Sequence, residues 1–128
     1  MTALDDTLSA QRIWDRCEAL ARLSETEGAL TRVFLSNEQR LANELVLGWM
    51  RDAGMTARLD AIGNCVGRYE GERPGLPCLM LGSHLDTVRD AGKYDGMLGV
   101  VVAIECVASL QARGIRLPFA IEVVGFAD

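Results

Sequence analysis

The sequence predicts an α/β domain with a mixed sheet, and three features of the chain support this fold class. An apolar run at residues 78–81, an apolar pattern of helical period at 97–111 and a second apolar run at 119–126 predict a strand, a crossover helix and a strand. Such a unit places its two strands parallel and close together. Residues 55–60 alternate apolar and polar before the turn signal Gly63-Asn64, which predicts an antiparallel hairpin. The hydrophobic content of 49% is high enough for a sheet with buried faces.

Two helices are predicted before the sheet. The first spans residues 8–23, and the second opens at Ser36, has Gln39 in a capping-box position and ends before Gly54. Residues 31–35, between the two helices, are ambiguous. The predicted apolar stripes are Ile13, Trp14, Cys17, Leu20 and Ala21 in the first helix, and Leu41, Leu45, Trp49 and Met50 in the second. Both tryptophans are therefore predicted to anchor the core rather than to form a binding platform.

The remaining elements follow from turn signals and periodicity. Residues 65–69 are predicted to form the second strand of the hairpin, and a loop rich in glycine and proline leads to the buried strand at 78–81. The helix at 97–111 is apolar nearly all round, which is typical of a buried helix. Gly114 ends this helix, and Pro118 precedes the last strand, which is predicted to be central in the sheet.

Composition argues against several classes of protein. Lys and Arg number 13 against 18 Asp and Glu, the net charge is −5, and the charges are interspersed, so a nucleic-acid or membrane partner is not expected. The chain has no apolar stretch long enough to span a bilayer and no secretory signal pattern, so a cytoplasmic location is expected. The four cysteines form no C-x-x-C pair, which argues against structural zinc and against a disulfide framework. Cys78 and Cys106 lie in apolar runs and are expected to be buried free thiols.

A candidate site lies where the strand at 78–81 ends and the next helix begins. His84, the only histidine of the chain, follows the apolar run, Asp86 stands two residues later, and Asp95 directly precedes Gly96. In open α/β sheets, ligands bind outside the carboxyl ends of the strands. One imidazole and two carboxylates at that edge predict a metal site, with His84 and Asp95 as ligands. Asp86 is placed to accept the other ring N–H of His84.

Each of these residues also has a structural interpretation. His84 can be a hydrogen-bonded structural residue, Asp95 can cap the following helix, and Asp86 and Asp90 can be ordinary loop carboxylates. Two ligands cannot close a metal site, so the other ligands are expected further along a longer chain. Residues 1–128 are accordingly expected to be the N-terminal portion of a longer chain.

The sequence around the candidate site resembles a known family. Residues 82–88, which read GSHLDTV, together with Tyr94-Asp95-Gly96, resemble the metal-binding signature of the aminoacylase/carboxypeptidase superfamily of co-catalytic metal hydrolases. More narrowly, the chain resembles the branch of allantoate amidohydrolases and N-carbamoyl-L-amino-acid amidohydrolases. Segments 30–36, 49–55, 60–64 and 123–128 also resemble this branch, so the resemblance extends through most of the chain. A small departure is Ala91-Gly92, where the family often has two glycines.

The resemblance implies a fold and a set of roles. It implies a zinc-peptidase-like three-layer αβα catalytic domain with a mixed sheet, and a smaller lid or dimerisation domain outside residues 1–128. His84 would bind one of two divalent metal ions, Asp95 would bridge both, and Asp86 would act as a catalytic residue that orients His84. The ions would be zinc or manganese, with cobalt or nickel accepted by the same ligands. A glutamate pair just after Asp128 would supply the general base, and the parent protein would be a homodimer.

The resulting hypothesis is a metal-dependent amidohydrolase that cleaves C–N bonds of linear amides and ureides, with allantoate as its small-molecule substrate. The alternatives are an N-carbamoyl-L-amino-acid hydrolase and a metallopeptidase or aminoacylase. For these 128 residues by themselves, a non-catalytic fragment is the alternative.

Overall fold

The computed structural model of the chain describes residues 2–128, in which three helices and four strands form one unit. In chain order these are α1 (Ala3–Ala21), α2 (Asn37–Asp52), β1 (Thr56–Leu59), β2 (Cys65–Tyr69), β3 (Cys78–His84), α3 (Met97–Ala112) and β4 (Ala120–Phe126). The strands form a single sheet in the order β1-β2-β4-β3. Strand β2 is antiparallel to β1 and β4, whereas β3 and β4 are parallel. The predicted α/β class, mixed sheet, parallel pair and edge hairpin are confirmed.

The first two helices begin at residues that cap them. Thr2 and Asp5 form a capping box, so α1 begins at Ala3 rather than at residue 8. Ser36 caps α2 as predicted, because its hydroxyl accepts from the backbone N–H of Gln39. The Gln39 side chain donates instead to Asn43, so only half of the predicted capping box forms.

Helices α2 and α3 cover the same face of the sheet. A Cβ at Gly67 of β2 would contact Met50 of α2, and a Cβ at Gly99 of α3 would contact Ser83 of β3. The strand register places Gly67 and Ser83 on one face, since side chains alternate along each strand. Helix α1 packs against α3. Residues 2–128 thus supply the sheet and one helical layer of the predicted three-layer arrangement.

Some side chains predicted to be buried by the apolar stripes of α1 and α2 are exposed. Trp14 is 55% exposed, because it lies on the side of α1 that contacts Tyr94 rather than the core. Its prediction as a core anchor is wrong. Helix α2 buries Val46, Leu47 and Met50, whereas Leu45 of the predicted stripe is exposed. The helical period is right, but the predicted buried face of α2 is rotated from the one that contacts the sheet.

Helix α3 is buried on two sides and exposed along a third. It packs against the sheet on one side and against α1 on another, which leaves Leu98, Val102 and Cys106 exposed one turn apart. The prediction of a buried helix therefore holds for the sides that contact the sheet and α1, but not for this exposed stripe. Within residues 2–128, no helix combines the length and the apolar character that a membrane span requires.

The strand that leads to the candidate site lies at an edge of this sheet. Strand β3 pairs with β4 on one side, and Cys78, Leu79 and Met80 are exposed, so its predicted burial is wrong for this chain. Strand β4 lies between β2 and β3, and most of its residues are buried, which confirms its predicted central place. Strand β3 also extends past residue 81, so that His84 is its last residue.

Thiol labelling provides a test of this arrangement. Cys17 and Cys65 are fully buried, and burial raises the pKa of both thiols, that of Cys65 to about 12, whereas Cys78 and Cys106 are exposed rather than buried as predicted. Because the thiolate is the reactive form, we expect a thiol reagent to modify Cys78 and Cys106 in the folded chain and all four cysteines in urea. Peptide mass spectrometry identifies the modified residues. Rapid native labelling of Cys65 would contradict this packing.

Candidate metal centre

His84 and Asp95 meet at the carboxyl end of β3. His84 ends the strand, and Asp95 lies in the turn that precedes α3. The Nε2 atom of His84 lies 3.5 Å from Oδ1 of Asp95. The structure therefore brings together the two residues that the sequence singles out as metal ligands.

The other ring nitrogen of His84 is engaged by Asp86. Its Nδ1 atom lies 2.8 Å from the main-chain oxygen of Asp86 and 3.3 Å from Oδ1 of the same residue. A carbonyl oxygen can only accept, so Nδ1 carries the proton in this contact. In the neutral imidazole, Nε2 is then the unprotonated nitrogen, on the side of Asp95. Asp86 thus contacts the nitrogen expected from the sequence, but its main-chain oxygen makes the closer contact.

The His84–Asp95 pair fits a divalent cation. Zinc bonds to imidazole nitrogen and carboxylate oxygen are about 2.0–2.2 Å long, so one ion can contact two atoms that lie 3.5 Å apart. The Asp95 side chain is 61% exposed, which leaves its carboxylate open to a further ligand. In the part of the chain that the structure describes, no group of three or more His, Cys, Asp or Glu side chains could hold a metal. His84 and Asp95 by themselves are fewer ligands than a closed metal site has.

Asp95 does not cap the helix that follows it. The N-cap residue of α3 is Gly96, and no side chain makes a capping hydrogen bond at this end of the helix. The structural alternative for Asp95, a helix cap, is therefore wrong. Its carboxylate is available for another role at the strand end.

The close approach of α3 to His84 requires glycine at position 96. The φ angle of Gly96 is 87°, and a Cβ there would lie 2.4–2.6 Å from three atoms of the His84 ring. We expect Gly96→Ala to displace the ring from Asp95 and, through backbone strain, to lower the free energy of unfolding by about 1–3 kcal/mol. Urea unfolding measures the stability, and imidazole NMR of the single histidine reports the displacement.

Gly92→Ala is the matched control, because a Cβ at Gly92 meets no atom within 4 Å. It should leave both the stability and the histidine signals close to those of the unchanged chain. Equal effects of the two substitutions would contradict the steric argument.

Asp128 borders the site and is absent from the sequence prediction of site residues. It follows β4, whose parallel register pairs Phe126 with His84, and its carboxylate interacts with that of Asp86. Burial raises the pKa of Asp86, the Asp128 carboxylate adds to this rise, and His84 opposes it. The predicted parallel pairing of the two strands could have indicated Asp128 as a site residue, because the carboxyl ends of neighbouring parallel strands meet at one edge of a sheet.

Arg32 lies behind the site and is also absent from the prediction. Its side chain is fully buried, and its guanidinium donates to the main-chain oxygens of Leu85, Leu20 and Leu23 at 2.7–3.1 Å. Burial lowers its pKa to about 10, an effect that the Asp86 carboxylate opposes, so Arg32 remains charged at neutral pH. No pattern in the sequence distinguishes this arginine from a surface one.

Comparison with known proteins identifies homologues. No protein-family model matches the chain. The N-carbamoyl-L-amino-acid amidohydrolase of Pseudomonas sp. (strain NS671) is 42% identical over 123 residues, which cover 95% of this chain and 30% of that protein. Allantoate deiminase 1 of Glycine max is 41% identical over 121 residues, or 88% of this chain and 25% of that protein.

The fold is shared with solved structures. A crystal structure of a hydantoinase/carbamoylase family amidase from Burkholderia ambifaria matches with a TM-score of 0.84 and 35% identity, over 91% of this chain and 29% of that one. The chain thus spans less than a third of the length of the relatives that it matches. Together, these similarities show that N-carbamoyl-L-amino-acid amidohydrolases and allantoate deiminases are homologues of this chain, and that its structural neighbours are hydantoinase/carbamoylase family amidases.

Proposed function

We propose that this chain carries part of the metal centre of an amidohydrolase that cleaves C–N bonds in linear amides and ureides. The observation that carries the proposal is the 3.5 Å approach of His84 Nε2 to Asp95, while Asp86 engages the other ring nitrogen. The names of the relatives, N-carbamoyl-L-amino-acid amidohydrolase and allantoate deiminase, support the same class of reaction.

The residues at the strand end have separate roles in this proposal. His84 and Asp95 hold a divalent cation, zinc or manganese, with cobalt or nickel suited to the same donors. The exposed carboxylate of Asp95 can face a second cation as well. A cation held there supplies Lewis-acid polarisation of the scissile carbonyl and lowers the pKa of nearby water. Asp86 keeps the proton on Nδ1 of His84, so that Nε2 stays unprotonated and able to bind.

The site is open to a small substrate. The His84 side chain is 40% exposed, and it lines a shallow depression together with Gly82, Ser83 and Phe126. Allantoate is the first candidate substrate and an N-carbamoyl-L-amino acid is the second. Relatives named for each are about equally similar to the chain, so both are offered in the test. Both molecules present a urea-type carbonyl and a carboxylate. We expect the groups that distinguish them, together with a glutamate general base, to lie outside these 128 residues.

The same proposal extends to the whole protein. Residues 1–128 form the N-terminal portion of the catalytic domain, and a smaller lid or dimerisation domain completes a homodimeric enzyme. The test is ammonia release by the purified full-length protein after treatment with a chelator and readdition of zinc or manganese. Allantoate and an N-carbamoyl-L-amino acid are offered in parallel. Metal-dependent turnover of one of them is expected, and turnover that survives complete metal removal would refute the proposal.

Asp86→Asn tests the contribution of the carboxylate to His84. The substitution keeps the main-chain contact of 2.8 Å but removes the negative charge beside Nδ1. We expect metal affinity or turnover of the full-length protein to fall by about 10–100-fold, as is usual when a partner of a ligating histidine is changed. The control is Asp52→Asn, an exposed carboxylate at the end of α2. A loss in both variants would point to a general charge effect instead.

A further inference from the structure

We infer that Arg32 is a positioning residue, which fixes the two peptide groups beside Asp86 and thereby keeps the proton of His84 on Nδ1. The inference deepens the proposed function, since a metal needs an unprotonated Nε2, but the hydrogen bonds that carry it lie outside the ligand pair. They join residues of three separate segments, namely 20–23, 32 and 85–87.

The side chain of Arg32 holds the peptide group before Asp86. Both Nε and Nη2 donate to the main-chain oxygen of Leu85, at 3.1 and 2.8 Å, in the forked geometry of a guanidinium. Leu85 is fully buried, so no water competes for this oxygen. The Leu85 N–H donates in turn to the main-chain oxygen of Phe126, which ties the same residue to β4.

The backbone of Arg32 holds the peptide group after Asp86. The N–H of Thr87 donates to the main-chain oxygen of Arg32 at 2.7 Å, and the N–H of Arg32 donates to the Thr87 hydroxyl at 2.8 Å. In a trans peptide the N–H and the C=O point in opposite directions. Binding the Thr87 N–H on the Arg32 side therefore aims the Asp86 carbonyl away from Arg32, and this is the carbonyl that lies 2.8 Å from His84 Nδ1.

The rest of the guanidinium anchors this arrangement to the helices. Nη1 donates to the oxygen of Leu20, near the end of α1, and to that of Leu23, just after the helix. The Leu20 oxygen also accepts from the Leu23 N–H, so the guanidinium adds a second donor there. Nη2 also contacts the Met97 sulfur at the start of α3. A lysine could keep the charge but could not reach these separate acceptors at once, because its donors sit on a single nitrogen.

Loss of the side chain should therefore free the Leu85–Asp86 peptide group. Because the next peptide group shares the Cα atom of Asp86, this movement should also displace the Asp86 carbonyl. The Nδ1 proton then loses its acceptor, and the tautomer with the proton on Nε2 becomes populated. That tautomer cannot bind a metal through Nε2. A purely structural role for Arg32 predicts lower stability with the tautomer unchanged, so the two roles have different consequences.

The experiment uses the chain labelled with ¹⁵N in histidine, in which the only imidazole belongs to His84. NMR at alkaline pH, without metal, distinguishes the two neutral tautomers. We expect one tautomer, protonated on Nδ1, in the unchanged chain and a mixture in Arg32→Met, with Arg32→Lys between them. Val46→Ala is the matched control, because Val46 is fully buried on α2 and its apolar side chain takes no part in these hydrogen bonds. It should lower stability and leave the tautomer unchanged.

Each outcome decides the assignment of Arg32. A folded Arg32→Met chain with the tautomer of the unchanged chain would overturn it, as would the same tautomer shift in Val46→Ala. If Arg32→Met does not fold, Arg32→Lys decides instead. A folded lysine variant with the tautomer of the unchanged chain would then overturn the assignment. Absence of metal binding by the full-length protein would refute the proposed function and leave the tautomer result intact.

Discussion

Asp95→Ala in the full-length protein is expected to lower hydrolysis by at least about 10³-fold while the fold is retained. In the proposed function Asp95 holds the cation, and a cation that polarises the scissile carbonyl is worth several kcal/mol of transition-state stabilisation. The fold is retained because the side chain is 61% exposed and makes no capping bond to α3, and such surface changes stay within about 0.5 kcal/mol. The measurements are kcat/KM with both candidate substrates, bound metal per protein and urea unfolding.

Asp52→Ala is the control for this substitution, since Asp52 is also an exposed carboxylate but lies at the end of α2. It should retain full activity and metal content. His84→Ala should behave like Asp95→Ala, because it removes the Nε2 atom that lies 3.5 Å from Oδ1 of Asp95. An Asp95→Ala enzyme with normal turnover would show that the carboxylate is not a ligand.

Arg32→Met is expected to cause a large loss of stability, about 2–5 kcal/mol of unfolding free energy. The substitution puts an apolar side chain in this space and leaves the oxygens of Leu23 and Leu85 without their side-chain donor, whereas the Leu20 oxygen keeps the Leu23 N–H. Each buried carbonyl without a partner costs about 1–3 kcal/mol, and relief of the buried charge offsets part of the sum. The total stability of a small domain is about 5–15 kcal/mol, so this loss is a large fraction of it. Urea unfolding followed by circular dichroism measures it.

Arg40→Met is the matched control for Arg32→Met. Arg40 pairs with Glu44 on the surface of α2, with both side chains more than half exposed. Removing such a pair within a helix changes stability by about 0.3–0.5 kcal/mol. A similarly small change in the stability of Arg32→Met would mean that water reaches the freed carbonyl oxygens in place of the guanidinium, which would contradict the burial of Arg32.

The elements set by local periodicity were predictable, and so was the meeting of His84 with Asp95. The bounds of β2 agree with the predicted residues 65–69, and the parallel pairing of β3 with β4 follows from a strand, a helix and a strand in succession. His84 ends a strand and Asp95 precedes the next helix, so general rules for α/β sheets place both at one edge. The metal that they are proposed to bind stays a prediction.

Burial and long-range hydrogen bonds were not predictable in the same way. Periodicity shows that a helix has an apolar side, but it does not show whether a second layer covers Trp14 or whether Cys78 lies in an edge strand. Arg32 bonds to a main-chain oxygen 53 residues away in sequence, and every residue type has such an oxygen. A pattern of side chains cannot predict which main-chain oxygen a buried arginine binds, so only the three-dimensional structure reveals such partners.

The central position of the last strand has a consequence for how the chain folds during synthesis. Strand β4 is made after all the others, yet it lies between β2 and β3 and supplies the only strand partner that β3 has within residues 2–128. The ribosome adds about 5–20 residues per second, so the synthesis of β4 is completed roughly 2–8 s after that of β3. During that interval its apolar residues and unpaired backbone groups are accessible to other nascent chains and to chaperones. The pairing of β3 with β4, and with it the His84 edge, therefore forms only after β4 has been synthesised.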